Sequence, residues 1–263
     1  MQKTELLNRL AASPEERLLL GKALDQLRFA RQRSVPTHTP FLSPAERTAV
    51  ERLITAEGYP AHVFTGGYPE AERRVCVFLP DWMEPEDMVP ADYLSALRAV
   101  WHGPEGLTHR DFLGALMGMG VKRETVGDIL VGKGSCDLLL LPEIVPFALQ
   151  NLTSAGRAKL TLSPLPLEEV TPPVGEVKVI HATVSSLRLD AVAAAGFSAS
   201  RSRLAEAIAA GRVALNWRAV PRPDAPVAQG DVLSCRGLGK CRVTEVGGQT
   251  RKGRISITLE RYL

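Results

Sequence analysis

The 263-residue sequence has few cysteines and no long uninterrupted apolar run. Its four cysteines form no C-x-x-C pair, which excludes the usual zinc spacings and a disulfide framework. The longest apolar stretch, residues 129–141, is broken by Lys133 and Asp137, so no segment of about 20 residues could cross a bilayer. The amino terminus has no apolar core with a cleavage site. We therefore expect a cytoplasmic protein without signal peptide, membrane contact, metal or cofactor.

The sequence also lacks the motifs of the common hydrolases and kinases. No Ser/His/Asp order, H-E-x-x-H motif or recognisable carboxylate pair occurs. His109-Arg110-Asp111 matches the start of a kinase catalytic loop, but Leu116 stands where a metal-binding Asn is required. We instead expect Thr108 and Asp111 to cap a helix. Gly114 and Gly118, four residues apart, are expected to allow close packing of another backbone.

The charge is distributed unevenly along the chain. Residues 183–263 contain 13 Lys and Arg against 6 Asp and Glu, whereas the other 182 residues contain 19 against 23. A basic third joined to a more acidic body suggests a polyanion-binding module attached to a unit of different purpose. Arginines that merely solvate one face would give the same composition.

Local patterns predict an α+β protein. Ser13-Pro14 and Ser43-Pro44 each combine a capping hydroxyl, a proline at the first helical position and a following glutamate. The second of these helices should end near Glu57. Strands over residues 61–64 and 73–79 are expected to form a hairpin. Further elements are helices over residues 92–101, 108–119 and 142–152 and strands over residues 127–131, 136–141 and 158–162.

The prolines of residues 163–175 predict a connector, because too many amide donors are missing for a central strand or a helix. Residues 177–182 could be a last strand of the middle unit or a lead into the basic third. In that third, two short helices are predicted, ending at Gly196 and Gly211. The exposed face and ends of the second helix should carry Arg201, Arg203 and Arg212, with small strands following.

Five short segments follow one another in the basic third: Arg188-Leu189-Asp190, Ser200-Arg201, residues 208–216, residues 227–231, and Arg236-Gly237-Leu238-Gly239-Lys240. In this order they resemble the S-four domain, an RNA-binding module named after small-ribosomal-subunit protein four. The resemblance implies that RNA is bound on the face of the helix pair and the adjoining strand loop. We expect Asp190 to orient a neighbouring arginine or to cap the structure. The residues to which the resemblance assigns RNA contacts are Arg188, Ser200, Arg201, Arg203, Arg236 and Lys240.

Segments upstream narrow the resemblance: residues 39–44, 65–73, 109–124 and 127–129, together with Asn216-Trp217. They are similar to the YlmH family of bacterial proteins, and the similarity spans roughly residues 39–263. It implies a middle domain like an RNA-recognition motif (RRM). It also implies binding to ribosomal RNA of a large ribosomal subunit that carries an obstructed peptidyl-tRNA, in translation quality control. The expected regions are an amino-terminal helical region (1–60), an RRM-like α+β domain (61–165), a linker with a lead-in strand (166–182) and the S-four domain (183–263).

Two alternatives concern the basic third and the body. Pseudouridine synthases carry a catalytic aspartate in a similar Arg-Leu-Asp string, and several of them have an S-four domain. Here that string is the first segment of the binding pattern, and the 73 residues after Asp190 are too few for a catalytic domain of that class. We therefore expect a monomeric binding protein rather than an enzyme. A protein–protein adaptor that uses the acidic body would show binding that survives high salt.

A further alternative concerns Thr65-Gly66-Gly67-Tyr68. Its glycines could let the backbone approach a phosphate, but a lone glycine pair is weak evidence and a hairpin turn explains it. Tyr68, Arg73 and Arg74 nearby would suit a second RNA contact. The aromatic stacking strip of a single-strand reader is not evident in residues 73–79.

Overall fold

The computed structural model of the chain describes residues 2–103, 106–173 and 177–262. The chain folds into two compact units, residues 1–173 and 174–263. Both units combine helices with antiparallel sheets, so the predicted α+β class is confirmed. The four cysteines are buried and free. Within the described residues, no helix is both long and apolar enough to span a membrane, and no group of three or more His, Cys, Asp or Glu could hold a metal ion.

The first 80 residues form three helices packed on a small antiparallel sheet. The Ser13 and Ser43 hydroxyls accept hydrogen bonds from the backbone N–H groups of Glu16 (3.1 Å) and Glu46 (3.4 Å), which confirms both predicted helix starts. The predicted hairpin also forms, and a short additional strand pairs with its second strand. The elements are α1 (Lys3–Leu10), α2 (Pro14–Arg33), β1 (Thr37–His38), α3 (Pro44–Ala56), β2 (His62–Thr65) and β3 (Val75–Phe78), with sheet order β1-β3-β2.

A second, four-stranded antiparallel sheet follows in the same unit. Its chain order, β-α-β-β-α-β, is that of the RRM-like fold expected from the sequence. A small extra hairpin precedes the last strand. The elements are β4 (Ser95–Val100), α4 (His109–Gly118), β5 (Val126–Val131), β6 (Ser135–Leu140), α5 (Val145–Asn151), β7 (Ser154–Ala155), β8 (Ala158–Lys159) and β9 (Thr161–Leu165), with sheet order β5-β6-β4-β9.

Two sequence predictions in this region are wrong. The helix predicted over residues 92–101 is mostly strand β4, which pairs with β6 on one side and β9 on the other. Its residues Ala96, Leu97 and Ala99 are all buried, so the apolar pattern does not alternate as in a one-sided strand. Residues 163–165, expected in the connector, belong to β9, an edge strand in which Pro164 is tolerated. Residues 174 and 175 of that connector lie outside the described residues.

The carboxyl-terminal unit is one six-stranded antiparallel sheet with two short helices on one face. Residues 177–182, whose place the sequence left open, lie in a strand that pairs with the last strand of this unit. The core lies between the helices and the sheet, with Leu189, Leu204, Leu233 and Leu259 fully buried. The elements are β10 (Val177–Val184), α6 (Leu189–Phe197), α7 (Arg201–Ala209), β11 (Val213–Leu215), β12 (Arg218–Ala219), β13 (Val232–Cys235), β14 (Gly239–Gln249) and β15 (Ile255–Tyr262), with sheet order β10-β15-β14-β13-β11-β12.

Candidate nucleic-acid interface

The helix pair α6–α7 is built by one close approach and one cap. A Cβ added at Gly196 would lie 2.6 Å from the Cys241 sulfur, so glycine is required where α6 crosses the sheet. The prediction that Gly196 ends this helix is therefore wrong. Instead α6 ends at Phe197 and is capped by Ser198, which has a left-handed φ of 53°. After α7, Gly211 adopts a φ of +67°, as expected of a residue that follows a helix end.

Asp190 joins the starts of the two helices by binding two arginines. Its Oδ1 and Oδ2 accept hydrogen bonds from Nε and Nη2 of Arg188 at 3.2 and 3.4 Å. Its Oδ2 also accepts a hydrogen bond from Arg201 Nη2 at 2.8 Å. The Asp190 side chain is 8% exposed, whereas those of Arg188 and Arg201 are 43% and 51% exposed. The expectation that Asp190 orients a neighbouring arginine agrees with this geometry.

Charge and burial act in opposite directions on Asp190. Burial of the carboxylate raises its pKa, but the hydrogen bonds and positive charges of Arg188 and Arg201 outweigh burial and hold the pKa below its usual value. The carboxylate is therefore ionised at neutral pH. It neutralises one of the two guanidinium charges and fixes the position of both, so this group, Arg188–Asp190–Arg201, presents a net positive charge at the surface.

Three further arginines line a small cleft beside α7. Arg203, Arg212 and Arg236 surround a cavity of about 100 Å³ together with Leu204, Cys235 and neighbouring residues. The Arg236 N–H donates a hydrogen bond to the Arg212 carbonyl at 3.0 Å, which ties the two turns together. The described residues that line this three-arginine cleft include no carboxylate. The cleft therefore concentrates positive charge.

Burial and two arginines of the three-arginine cleft affect the pKa of the Cys235 thiol. Burial raises its pKa, and the nearby charges of Arg212 and Arg203 oppose that rise.

Arg212 was predicted to be exposed at the end of α7 but was not among the residues assigned to RNA. The signal that could have included it is its position directly after Gly211, where the chain turns into β11.

Ser200 and Lys240, two other residues assigned to RNA, have contacts of their own. Ser200 caps α7 by accepting a hydrogen bond from the Arg203 N–H at 3.3 Å. The Lys240 ammonium lies 4.7 Å from the centre of the Tyr262 ring. Cys241, next in the chain, points into the core that the helices cover, and because side chains alternate along a strand, Lys240 lies on the opposite face of the sheet. The structure thus gathers Arg188 with Arg201 and Arg203 with Arg236, and it places Lys240 apart from the helix face.

The side chains and backbone of the loop before Arg73 bind other groups of the protein. Asp128 of β5 accepts hydrogen bonds from the Tyr68 hydroxyl (2.8 Å) and from the N–H groups of Glu72 (2.7 Å) and Arg73 (3.1 Å). The Arg73 guanidinium donates to the carbonyls of Val126 and Phe41. These contacts favour the turn over the phosphate cradle and leave Tyr68 and Arg73 engaged within the fold.

The sheet of the RRM-like domain has both faces covered. Helices α4 and α5 pack on one face. Phe41 and Val77 from the amino-terminal region pack with Leu139 on the other, and a Cβ at Gly127 would lie 2.6 Å from the Phe41 ring. An RRM reads single-stranded RNA by stacking bases on this second face. In this protein that face is occupied by the protein itself.

At the start of α4, the kinase-like tripeptide has a structural role. The N–H and the hydroxyl of Thr108 both donate to Asp111 at 2.7 Å, which forms the predicted cap. These bonds lower the pKa of Asp111. The close packing predicted at Gly114 and Gly118 is wrong, because a Cβ at either position would meet no atom within 4 Å.

Comparison with known proteins finds a family match in each of the two units. Residues 104–169 match the family model described as "Putative RNA-binding domain in YlmH", and residues 187–233 match the "S4 domain" model. Over 249 residues, 94% of this chain and 95% of the relative, the sequence is 34% identical to "Ribosome-associated protein quality control protein P2" of Bacillus subtilis (strain 168). A solved structure, "Cell division protein ylmH from Streptococcus pneumoniae", is 24% identical and aligns with a TM-score of 0.50 over 61% of this chain and 98% of that one, which indicates a shared fold. The resemblance seen in the sequence is thus confirmed: the chain belongs to the YlmH family and carries an S-four domain.

Proposed function

We propose that the protein binds structured ribosomal RNA on the large ribosomal subunit, close to a peptidyl-tRNA, and acts in cytoplasmic quality control of stalled translation. The observation that carries the proposal is the pair of exposed arginines that Asp190 fixes at the start of the S-four helices. The relative from Bacillus subtilis, named for ribosome-associated quality control, supports the same reading.

The arginine geometry suits the backbone of folded RNA. A-form RNA hides its base edges in a deep groove and presents phosphates and 2′-hydroxyls. Arg201 uses only Nη2 on Asp190, so Nε and Nη1 can donate to a phosphate. A guanidinium already held by a carboxylate loses less side-chain freedom on binding than a mobile one. The three-arginine cleft would add a second point of attachment to the phosphates.

We propose a binding role rather than catalysis for Asp190. Its two oxygens accept three hydrogen bonds from arginines, which stabilise the ionised carboxylate and occupy most of its roughly four lone-pair sites. The family models that match the chain describe RNA-binding domains. An assay for uridine isomerisation in ribosomal RNA should give no product. Pseudouridine formed by the wild-type chain and lost in Asp190→Asn would reverse this assignment.

Co-sedimentation with purified large subunits tests the proposed surface. Arg201→Glu combined with Arg203→Glu should abolish co-sedimentation, because it reverses one charge in each arginine group. The matched control is Arg9→Glu with Arg31→Glu, which makes the same change in net charge on exposed residues of α1 and α2. Far-ultraviolet circular dichroism establishes that each variant is folded. Arg203→Gln with Arg212→Gln, which introduces no carboxylate beside Asp190, should weaken binding in the same direction. Wild-type co-sedimentation by the first variant would refute the surface.

A further inference from the structure

A second cavity of the carboxyl-terminal unit lies between α6 and the strands at the edge of the sheet. Its volume is about 340 Å³, within the range of sites that hold small molecules. Arg201 lines it from the helix side, and Arg254, just before β15, lines it from the strand side. We call it the alanine-floored cleft after the residues of its floor, which are Ala191, Ala194, Ala195 and Ala199.

Both arginines of the cleft are fixed by hydrogen bonds and keep free donors. Arg201 is held by Asp190 through Nη2. Arg254 donates from Nε to the Thr183 hydroxyl at 2.9 Å and from Nη2 to the Thr183 carbonyl. The described residues that line the cleft include no carboxylate. The cleft is thus an apolar floor of methyl groups between two positioned guanidinium groups.

This combination matches the chemistry of a single unstacked nucleotide. A base turned out of an RNA helix is recognised by stacking on an aromatic ring or on the plane of an arginine, and its phosphate requires a cation. Small alanine side chains leave room for a flat ring. Exposed Arg251 and Lys252, at the tip of the β14–β15 hairpin that leads to Arg254, add positive charge for the flanking phosphates.

We propose that the alanine-floored cleft binds one unpaired nucleotide that projects from the RNA helix held by the S-four arginines. The inference rests on the proposed RNA-binding function and extends it from backbone contact to recognition of a bulge. Thr183 and Arg254, which form one wall, lie outside residues 187–233 that match the S-four domain. The elements that flank this domain therefore complete the site.

Two kinds of labelled hairpin RNA test the proposal with the full chain. One has a fully paired stem, and the other has a single extra nucleotide and is made in four versions, one for each base. By fluorescence anisotropy, at least one bulged hairpin should bind about fivefold or more tightly than the paired hairpin. Ala194→Leu, which fills the cleft on a partly exposed helix position, should remove this difference and leave the affinity for the paired hairpin unchanged. Ala209→Leu makes the same change on an exposed residue of α7 outside the cleft and should keep the difference.

The outcomes separate this inference from the proposed function. Equal affinity of the wild-type chain for paired and bulged hairpins would overturn the cleft and leave backbone binding intact. Equal weakening of both RNAs by Ala194→Leu would also overturn the cleft. If the wild-type chain bound neither RNA, the proposed function itself would fail. As a second measurement, a fluorescent base analogue in the bulge should change its emission on binding to the wild-type chain and not to Ala194→Leu.

Discussion

The Asp190 carboxylate at the start of α6 accepts a 2.8 Å hydrogen bond from Arg201 at the start of α7. The buried carboxylate thus holds an exposed guanidinium from the next helix. Arg188, the residue before α6, is the second arginine that it holds. The negative charge sits within a surface that is proposed to bind a polyanion. We expect Asp190 to contribute by positioning two guanidinium groups. Positioning and net charge have opposite expected effects on RNA binding when Asp190 is replaced.

Replacing Asp190 by Asn separates positioning from charge. The variant gains one positive charge, so a purely electrostatic account expects tighter RNA binding. We expect weaker binding, because each arginine that must be ordered on association costs about 0.5–1.5 kcal/mol. The affinity for a paired hairpin RNA, measured by fluorescence anisotropy, should fall about fivefold or more. Asp224→Asn, which removes the partner of exposed Arg222, is the matched control and should bind as the wild type does.

The same carboxylate should make stability depend on pH. The pKa of Asp190 in the folded chain lies below its ordinary value of 3.8, so its stabilising contribution is complete above about pH 5 and is lost as the pH falls through the folded value. The difference in unfolding free energy between wild type and Asp190→Asn should be constant from neutral pH to about pH 5. Below about pH 4 it should shrink, as urea titrations at successive pH values can measure. A difference that stays constant down to pH 2.5 would mean that the carboxylate does not hold the arginines.

Some of this architecture could be predicted from the sequence, and the reasons for the failures are physical. Helix starts such as Ser43-Pro44 depend on neighbouring residues, so they are visible locally. The sequence of the strand Ser95–Val100 does not show a strand pattern, because neighbours bury it on both faces and erase the period of two. The role of Gly196 depends on Cys241, 45 residues later, and no local pattern reveals such a contact.

The candidate site shows the same division. The resemblance identified Arg188, Arg201, Arg203 and Arg236 as residues of the basic third, and their placement at RNA stays a prediction. Helical spacing separates Arg201 from Arg203 on α7, but the sequence could not show that Arg201 joins Arg188 through Asp190. Nor could it show that Arg212 meets Arg203 and Arg236 in one cleft, since turns before β11 and after β13 bring them together.

Gly196→Ala should destabilise the carboxyl-terminal unit. Alanine normally stabilises a helix interior by up to about 1 kcal/mol, but here the new methyl group would lie 2.6 Å from the Cys241 sulfur. We expect a loss of about 1–3 kcal/mol in unfolding free energy. In a Cys241→Ala background the penalty should largely disappear. The same substitution at Gly114, where a Cβ meets no atom within 4 Å, should stabilise instead; a loss at Gly114 as large as at Gly196 would contradict the packing argument.

Asp128 should matter for stability and not for RNA. Asp128→Ala leaves the Tyr68 hydroxyl and two backbone N–H groups without their acceptor, so the amino-terminal unit should lose about 2–4 kcal/mol. Tyr68→Phe removes one of these bonds and should cost about 1 kcal/mol. Both variants, at temperatures where they remain folded, should bind hairpin RNA as the wild type does. Weaker RNA binding by folded Tyr68→Phe would show that this loop is a second RNA contact.

The salt dependence of binding to purified large ribosomal subunits tests the central claim most directly. If four to six cations of the carboxyl-terminal unit neutralise phosphates, log affinity should fall against log salt with a slope of roughly −3 to −5. Arg212→Gln, in the three-arginine cleft, should make the slope shallower by about 1, and the control Arg31→Gln should leave it unchanged. A wild-type slope near zero, or one that Arg212→Gln does not alter, would contradict the claim that these arginines hold RNA through its backbone.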